Sequence, residues 1–163
     1  MREGWDRYFM RIAEQVASRA TCDRKQVGCL LVIDRSIVAT GYNGSLRGEP
    51  HCDDAGHLMV EGHCVRTVHA ESNAVAQAAR RGVRLDGATC YVTASPCFIC
   101  LKLLAQAGII RIVAGEFYRD ELSLEMAKRI GIDVVVLEQP AACADTQPCA
   151  GFASSEEGGF DSP

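Results

Sequence analysis

A three-layer α/β/α sandwich, with helices on both faces of a five-stranded mixed sheet, follows from three features of the sequence. Apolar, β-branched runs of strand length alternate with stretches of helical period through the second half of the chain, which implies parallel strands joined by helical crossovers. Nearer the start, two such runs are separated only by Asp34-Arg35, which adds an antiparallel hairpin at one edge. A helical stretch also stands between the last two runs, and a crossover of that kind forces those two strands parallel.

Taken in order, Trp5 to Ala20 sets Tyr8, Phe9, Ile12, Val16 and Ala20 at spacings of three and four, the mark of an amphipathic helix. VGCLLVID and SIVATGYN are the hairpin strands. From Gly44 to Arg66 the chain is rich in Gly, His, Cys and Asp without periodicity, so it reads as a long loop or loosely helical excursion, and loops of that length are usually functional. A helix from about Val68 to Arg81, strand ATCYVTA, a helix from Pro96 to about Gln106, strand IIRIVAGE, helix ELSLEMAKRI and strand DVVVLE follow. The order is α-β-β-α-β-α-β-α-β. After Pro140 the residues are small, polar and aperiodic, which predicts one domain over 1–140 and a disordered tail over 141–163.

Composition narrows the function classes. A net charge of −4 gives no overall basic field, which disfavours tight nonspecific nucleic-acid binding. The charged start, MREGWDRYFMRIAEQ, has no apolar signal core, and no stretch approaches membrane-spanning length, so the sequence predicts a soluble cytoplasmic protein with no membrane partner. Nine cysteines in such a setting point to metal or redox chemistry rather than a disulfide framework.

Two short motifs concentrate that chemistry. TVHAESNAVAQAARRG opens an alanine-rich apolar helix with His69 and Glu71, groups that are costly to bury without a purpose. SPCFIC, residues 95–100, stands where a strand runs into a helix. Ser95 reads as its N-cap and Pro96 as its first residue, which places Cys97 and Cys100 on one face of the first turn. A helix N-terminus favours thiolates. One His and two Cys make three protein ligands for zinc with a fourth position open to water, the arrangement of a catalytic site. Glu71 then stands as the base beside that water, passing a proton to a substrate nitrogen and a departing amine. A lone CxxC is often structural or redox-active and a lone His is often a core residue. HAE followed by PCxxC at the head of a second helix is much harder to obtain that way. Cys29 and Cys90, inside apolar strands, read as small buried hydrophobes, and Cys143 and Cys149 in the tail are assigned nothing.

His69-Ala70-Glu71 with Pro96-Cys97-Phe98-Ile99-Cys100 resembles the H-x-E and P-C-x-x-C signature of the cytidine deaminase superfamily. GYNGS at 41–45, HCDDAGHLM at 51–59, GHCVRTVHAE at 62–71 and the helix-linked last strand are similar to bacterial deoxycytidylate (dCMP) deaminases and late-competence-type relatives, over roughly Trp5 to Glu138. The resemblance implies a cytidine-deaminase-like sandwich, zinc on His69, Cys97 and Cys100, Glu71 as proton shuttle, and hydrolysis of dCMP to dUMP and ammonia for thymidylate supply. It further implies that Asn43 meets the sugar and that Gly41, Tyr42, Asn43 and Gly44 bind a dCTP or dTTP effector, with Mg accompanying the triphosphate. A homo-oligomer is also expected on this basis.

The crowding of His51, Cys52, His57, His63 and Cys64, with Cys22 closing the first helix, suggests a second metal. Relatives of this type can carry a structural zinc with cysteines at the positions of Cys22 and Cys52, and His57 stands where they can have Cys. The favoured set is Cys22, Cys52, His57 and Cys64, with His63 the other choice for the fourth ligand. A 5′-phosphate needs a cation, for which Arg24, Lys25, Arg66 and Arg119 are candidates. Ala70 and Ser95 flank the site, and Tyr118, after a parallel strand, would border the pocket. The competing readings are a tRNA or nucleic-acid base deaminase, which should show a basic face, and a noncatalytic zinc-stabilised interaction protein in DNA uptake.

Overall fold

The computed structural model describes residues 1–118 and 120–137. Helix α1 (Trp5–Ala17) leads into strands β1 (Gly28–Ile33) and β2 (Ser36–Tyr42), which form the expected hairpin. Asp34 and Arg35 both take positive φ, 48° and 61°, the left-handed pair that a two-residue turn needs to match strand twist. The second half supplies α3 (Ala70–Arg80), β7 (Thr89–Val92), α4 (Phe98–Gln106), β8 (Arg111–Ala114), α5 (Glu121–Arg129) and β9 (Asp133–Val136). Between the halves lie β3 (Gly44–Ser45), α2 (Cys52–Ala55), the short pair β4 (Met59–Val60) and β5 (His63–Cys64), and β6 (Thr67–Val68). The main sheet has the order β2-β1-β7-β8-β9. Its β2–β1 and β1–β7 pairs are antiparallel, and its last two pairs are parallel, as the crossover helices require.

Period-two alternation divides the core in two. Cys29 and Leu31 of β1 point with Cys90, Val92, Ile112 and Ala114 toward α3, α4 and α5, where Ala74, Ala78, Leu101, Leu104 and Ala127 meet them. Leu30 and Val32 point the other way, with Tyr91 and Val113, onto Phe9, Met10 and Ala13 of α1. Cys29 and Cys90 are fully buried, in keeping with their reading as core residues. The alanine stripe of α3 lets the helix lie directly on β2. A Cβ at Gly41 would fall on the Ala70 carbonyl and the Ala74 nitrogen, so only glycine fits there. Two side chains of α3 also serve the edge strand: Gln77 Oε1 accepts the Thr40 N–H and Asn73 Nδ2 donates to the Tyr42 carbonyl, both at 2.8 Å.

Several boundaries differ from expectation. Helix α1 ends at Ala17 and buries Phe9, Met10, Ala13 and Ala17, while Tyr8 stays on the surface, edge-on to Trp5 and Phe9. The excursion from Gly44 is closed at its base by pairing of β3 with β6, and so is a tied loop with a small helix and hairpin of its own. His69 is the N-cap of α3 rather than part of its first turn. Cys97, not Ser95, is the N-cap of α4, because the Ser95 hydroxyl accepts the Tyr118 N–H at 2.8 Å instead. Glu138 and the expected tail lie outside the described residues. No helix among those described is long and apolar enough to cross a membrane.

Candidate active site

The β3–β6 pairing ends at Val68 and delivers His69 to the head of α3, and β7 runs through Ala94 and Ser95 into Cys97 at the head of α4. Two helix starts therefore face each other beside the C-terminal ends of the parallel strands, where open α/β sheets place ligands. His69 Nδ1 lies 3.6 Å from Cys97 Sγ and 3.4 Å from Cys100 Sγ, and the three ligand atoms stand within 4.8 Å of one another. The Cys100 thiol donates to Cys97, and this bond, aided by His69, draws the Cys97 thiol down to about 4 despite its burial. Cys100 is pushed the opposite way by the same bond and by burial. The bond to Cys97 raises His69 above its ordinary value. Two cysteine sulfurs and an imidazole within bonding reach of one another suit a soft or borderline divalent metal.

Glu71, in the first turn of α3, is only 4% exposed. Burial raises its pKa, with the neighbouring Cys97 adding to the shift and His69 opposing it. A carboxyl group held ready to carry a proton beside a metal-ligand cluster is a general acid–base arrangement. Glu71, His69 and Cys97 line a cavity of about 640 Å³. Arg24, Lys25, Asn43, Ala70, Ser95 and Tyr118 line it too, and Cys100 lies behind it, 1% exposed.

The other expected residues fall differently. Arg66 does not line the cavity and donates from Nε to the Gly56 carbonyl at 3.0 Å, so it serves the loop's own fold. Of residues 41–44 only Asn43 reaches the cavity. Its Oδ1 accepts the Val27 N–H at 2.7 Å and its Nδ2 donates to the Lys25 carbonyl at 2.8 Å, which pins the 25–27 segment. Tyr42 is partly exposed, and Gly41 and Gly44 lie against packed neighbours. Arg119 lies outside the described residues. The structure adds Glu116 and Asp120. Lys25 pairs with Glu116 and sits 4.1 Å over the Tyr118 ring, and Asp120 lines the cavity.

The second set also comes together. Cys22, Cys52 and His57 place their ligand atoms within 4.8 Å of one another, and Cys64 joins them through a 3.7 Å contact between its Sγ and that of Cys52. His57 turns Nδ1 toward Cys22 at 3.9 Å and Nε2 toward Asp23 Oδ1 at 3.0 Å. A carboxylate on the outer nitrogen of an imidazole fixes its orientation, as partners of metal-bound histidines do. Burial, then the bond to Cys64 and the charge of Cys22, pushes Cys52 to about 12. For Cys64, burial pushes upward but is outweighed by the Arg66 backbone N–H and by His57, giving about 7. His63 lines the cavity instead of joining this cluster, and so do Cys22 and Cys64 from their edge of it.

Residues 3–116 match the family model described as the cytidine and deoxycytidylate deaminase zinc-binding region. The chain is 43% identical over 138 residues to ComE operon protein 2 of Bacillus subtilis (strain 168), covering 84% of this chain and 73% of that protein. It is 38% identical over 143 residues to deoxycytidylate deaminase of Saccharomyces cerevisiae, covering 82% of this chain and 45% of that one. The crystal structure of dCMP deaminase from the cyanophage S-TIM5 in complex with dCMP and dUMP superposes with a TM-score of 0.74 at 28% identity, covering 84% of this chain and 99% of that one.

Proposed function

The chain belongs to the cytidine and deoxycytidylate deaminase family, and from that membership we propose that it is a zinc-dependent hydrolase converting dCMP to dUMP and ammonia. The observation that carries the reading is the buried Glu71 carboxyl on the same cavity as the His69, Cys97 and Cys100 cluster. Relatives named deoxycytidylate deaminase, one of them covering 82% of this chain, support cytosine deoxynucleotides as the substrate class.

His69, Cys97 and Cys100 would hold the catalytic zinc, and the donor set fits: three protein ligands, one of them already favoured as thiolate, leave a coordination position free. Zinc bound there supplies Lewis acidity, which makes a water acidic enough to act as nucleophile near neutral pH. With the metal in place, Glu71 would take one proton from the attacking water and pass it to ring N3 as the C4–O bond forms, then carry the second proton, from the new C4 hydroxyl, to the amine as the C4–N bond breaks and ammonia leaves. Burial raises the pKa of Glu71, the direction that favours a carboxyl group which must both take and give protons. Ala70 and Ser95 border the base, and Asn43 fixes the cavity floor through the 25–27 backbone. Arg24 is the cavity cation offered to a 5′-phosphate, with Lys25 beside it in its pair with Glu116. Cys22, Cys52, His57 and Cys64 would hold a second, structural zinc that ties the 44–68 excursion to the body.

The test is ammonia release from dCMP, cytidine, dCTP and adenosine-bearing tRNA by zinc-loaded protein. Turnover of dCMP in preference to the others is expected. Turnover of tRNA alone, or of nothing by fully loaded protein, overturns the substrate or the enzymatic reading respectively.

A further inference from the structure

The turn that delivers Cys97 is held from outside its own helix. Ser95, Pro96 and Phe98 flank Cys97 on both sides; Ser95 and Phe98 are bonded to the segment between β8 and α5, and Pro96 to the first turn of α5. The Ser95 N–H donates to the Glu116 carbonyl at 2.9 Å, and Ser95 Oγ accepts the Tyr118 N–H at 2.8 Å. Asp120 Oδ2 accepts the Phe98 N–H at 2.7 Å, at the first residue of α4. Its other oxygen accepts the Ser123 N–H at 3.0 Å and so caps α5. Ser123, 1% exposed, returns its hydroxyl to the Pro96 carbonyl at 2.8 Å.

We propose that Asp120 is a positioning residue for the Cys97 ligand, a single carboxylate bridging the starts of α4 and α5 that sets where the Cys97 sulfur stands relative to His69 and Cys100. The inference rests on the metal-site reading given above. Both oxygens of Asp120 are taken up by backbone N–H donors, so although it lines the cavity its task is to hold rather than to shuttle protons. The negative charge also suits two helix N-termini at once, and charge-assisted bonds of this kind are the strong ones. Without the carboxylate the Phe98 N–H loses its acceptor and the 96–98 turn gains freedom at the residue that must meet His69. Ligand geometry that drifts by an ångström is costly at a reacting centre.

The experiment uses the full zinc-loaded chain as wild type, Asp120→Ala, Asp120→Asn and Ser123→Ala. Zinc release to a chromogenic chelator is followed in time, and the phase belonging to this site is identified by its absence in Cys97→Ser. The intensity of sulfur-to-metal charge transfer in the cobalt-substituted proteins is read in parallel. Asp120→Ala is expected to release that zinc about 10–100-fold faster and to show weaker thiolate–cobalt absorption, while the loop-cluster phase is unchanged. Asn, which keeps an acceptor oxygen, restores most of the difference, and Ser123→Ala moves in the same direction by less. Wild-type release and wild-type spectra in both Asp120→Ala and Ser123→Ala overturn the proposal. Should the alanine variant at 120 not fold, Ser123→Ala decides alone by the same criterion. Neither readout involves nucleotide, so a failure of dCMP turnover would strike the functional reading and leave this one to its own result.

Discussion

The cluster of His69, Cys97 and Cys100 and the cluster of Cys22, Cys52, His57 and Cys64 share a cavity wall and nearly the same ligand chemistry, yet a carboxylate stands in a different place beside each. Glu71 is buried and borders the cavity at the first cluster. Asp23 is 78% exposed in its side chain and grips the outer nitrogen of His57. The first cluster is carried by the starts of two helices packed on the main sheet, and the second by the tied excursion together with Cys22 from the connection between α1 and β1. Ligand identity therefore says little about what such a cluster is for. A carboxylate beside the reacting space makes general acid–base chemistry available, whereas one behind the ligand only orients it.

The largest effect expected from this difference is at Glu71. Glu71→Gln keeps the shape and removes the proton carrier, so kcat for dCMP should fall by about 10²–10⁴-fold, with zinc content unchanged when metal and turnover are measured on the same sample. Near-wild-type turnover would break the comparison, because the carboxylate facing the cavity would then not be what distinguishes the clusters. Next in size is Cys52→Ser, which removes a thiol 5% exposed at the centre of the loop cluster. Loss of a structural metal belongs with the largest single-residue effects, about 4 kcal/mol. The variant should lose one zinc and melt well below wild type in calorimetry. Its kcat should fall far less than that of Glu71→Gln, since Glu71 and its cluster stand on other elements.

What the sequence disclosed and what it withheld divide along the same physical line. The strand and helix order was legible because apolar, β-branched runs and spacings of three to four are local properties: β1 is such a run, buried on both faces, and α1 carries the helical spacing. His69, Glu71, Cys97 and Cys100 were legible because each pair lies within one turn of chain. Asp120 as a support of α4 was not, because its bond to Phe98 spans 22 residues, and the nearby Ser-Pro pair offers a good local cap that tertiary structure diverts to Tyr118. Asp120 does show a local signal, but as the cap of its own helix α5. Arg66 misled for the converse reason: its charge is visible in the sequence, whereas its bond to Gly56 depends on how the excursion folds. Tyr8 followed the expected apolar spacing yet stayed outside, since Met10 and Ala13 turned the buried face of α1 by part of a turn.

A smaller effect sharpens the comparison at Asp23. Asp23→Ala leaves His57 without its orienting partner, and zinc at the loop cluster should bind about 10–100-fold more weakly in chelator competition. Turnover of dCMP with zinc in excess should be unchanged. A drop in kcat at saturating zinc would show that the loop cluster does more than tie the excursion down.

The smallest effect expected comes from Asp6, which lies at neither cluster and serves as the control for both. Its carboxylate takes Arg111 Nη1 and Nη2 at 2.8 and 2.9 Å and the Tyr91 hydroxyl at 2.9 Å, fastening α1 to the sheet. The Arg111 bonds hold Asp6 below its ordinary value against an opposing desolvation. Burial, together with the bond to Asp6, pushes the Tyr91 phenol to about 12. Because the folded-state pKa of Asp6 is lowered, its stabilisation is fully present above the unfolded value of about 3.9 and is lost as pH falls through the lowered one. The pair is about a third exposed, so its worth is discounted to about 0.5–1 kcal/mol. Urea unfolding of wild type and Asp6→Asn should differ by that amount at pH 6, and the gap should close in acid. Metal loss in acid affects both proteins alike and cancels in the difference. Zinc release from both clusters should be the same in Asp6→Asn as in wild type. If it is faster, general loosening of the fold reaches the metals, and the losses in Cys52→Ser could not be ascribed to the loop cluster alone. If it is unchanged, the contrast between the clusters is local to the groups that stand beside them.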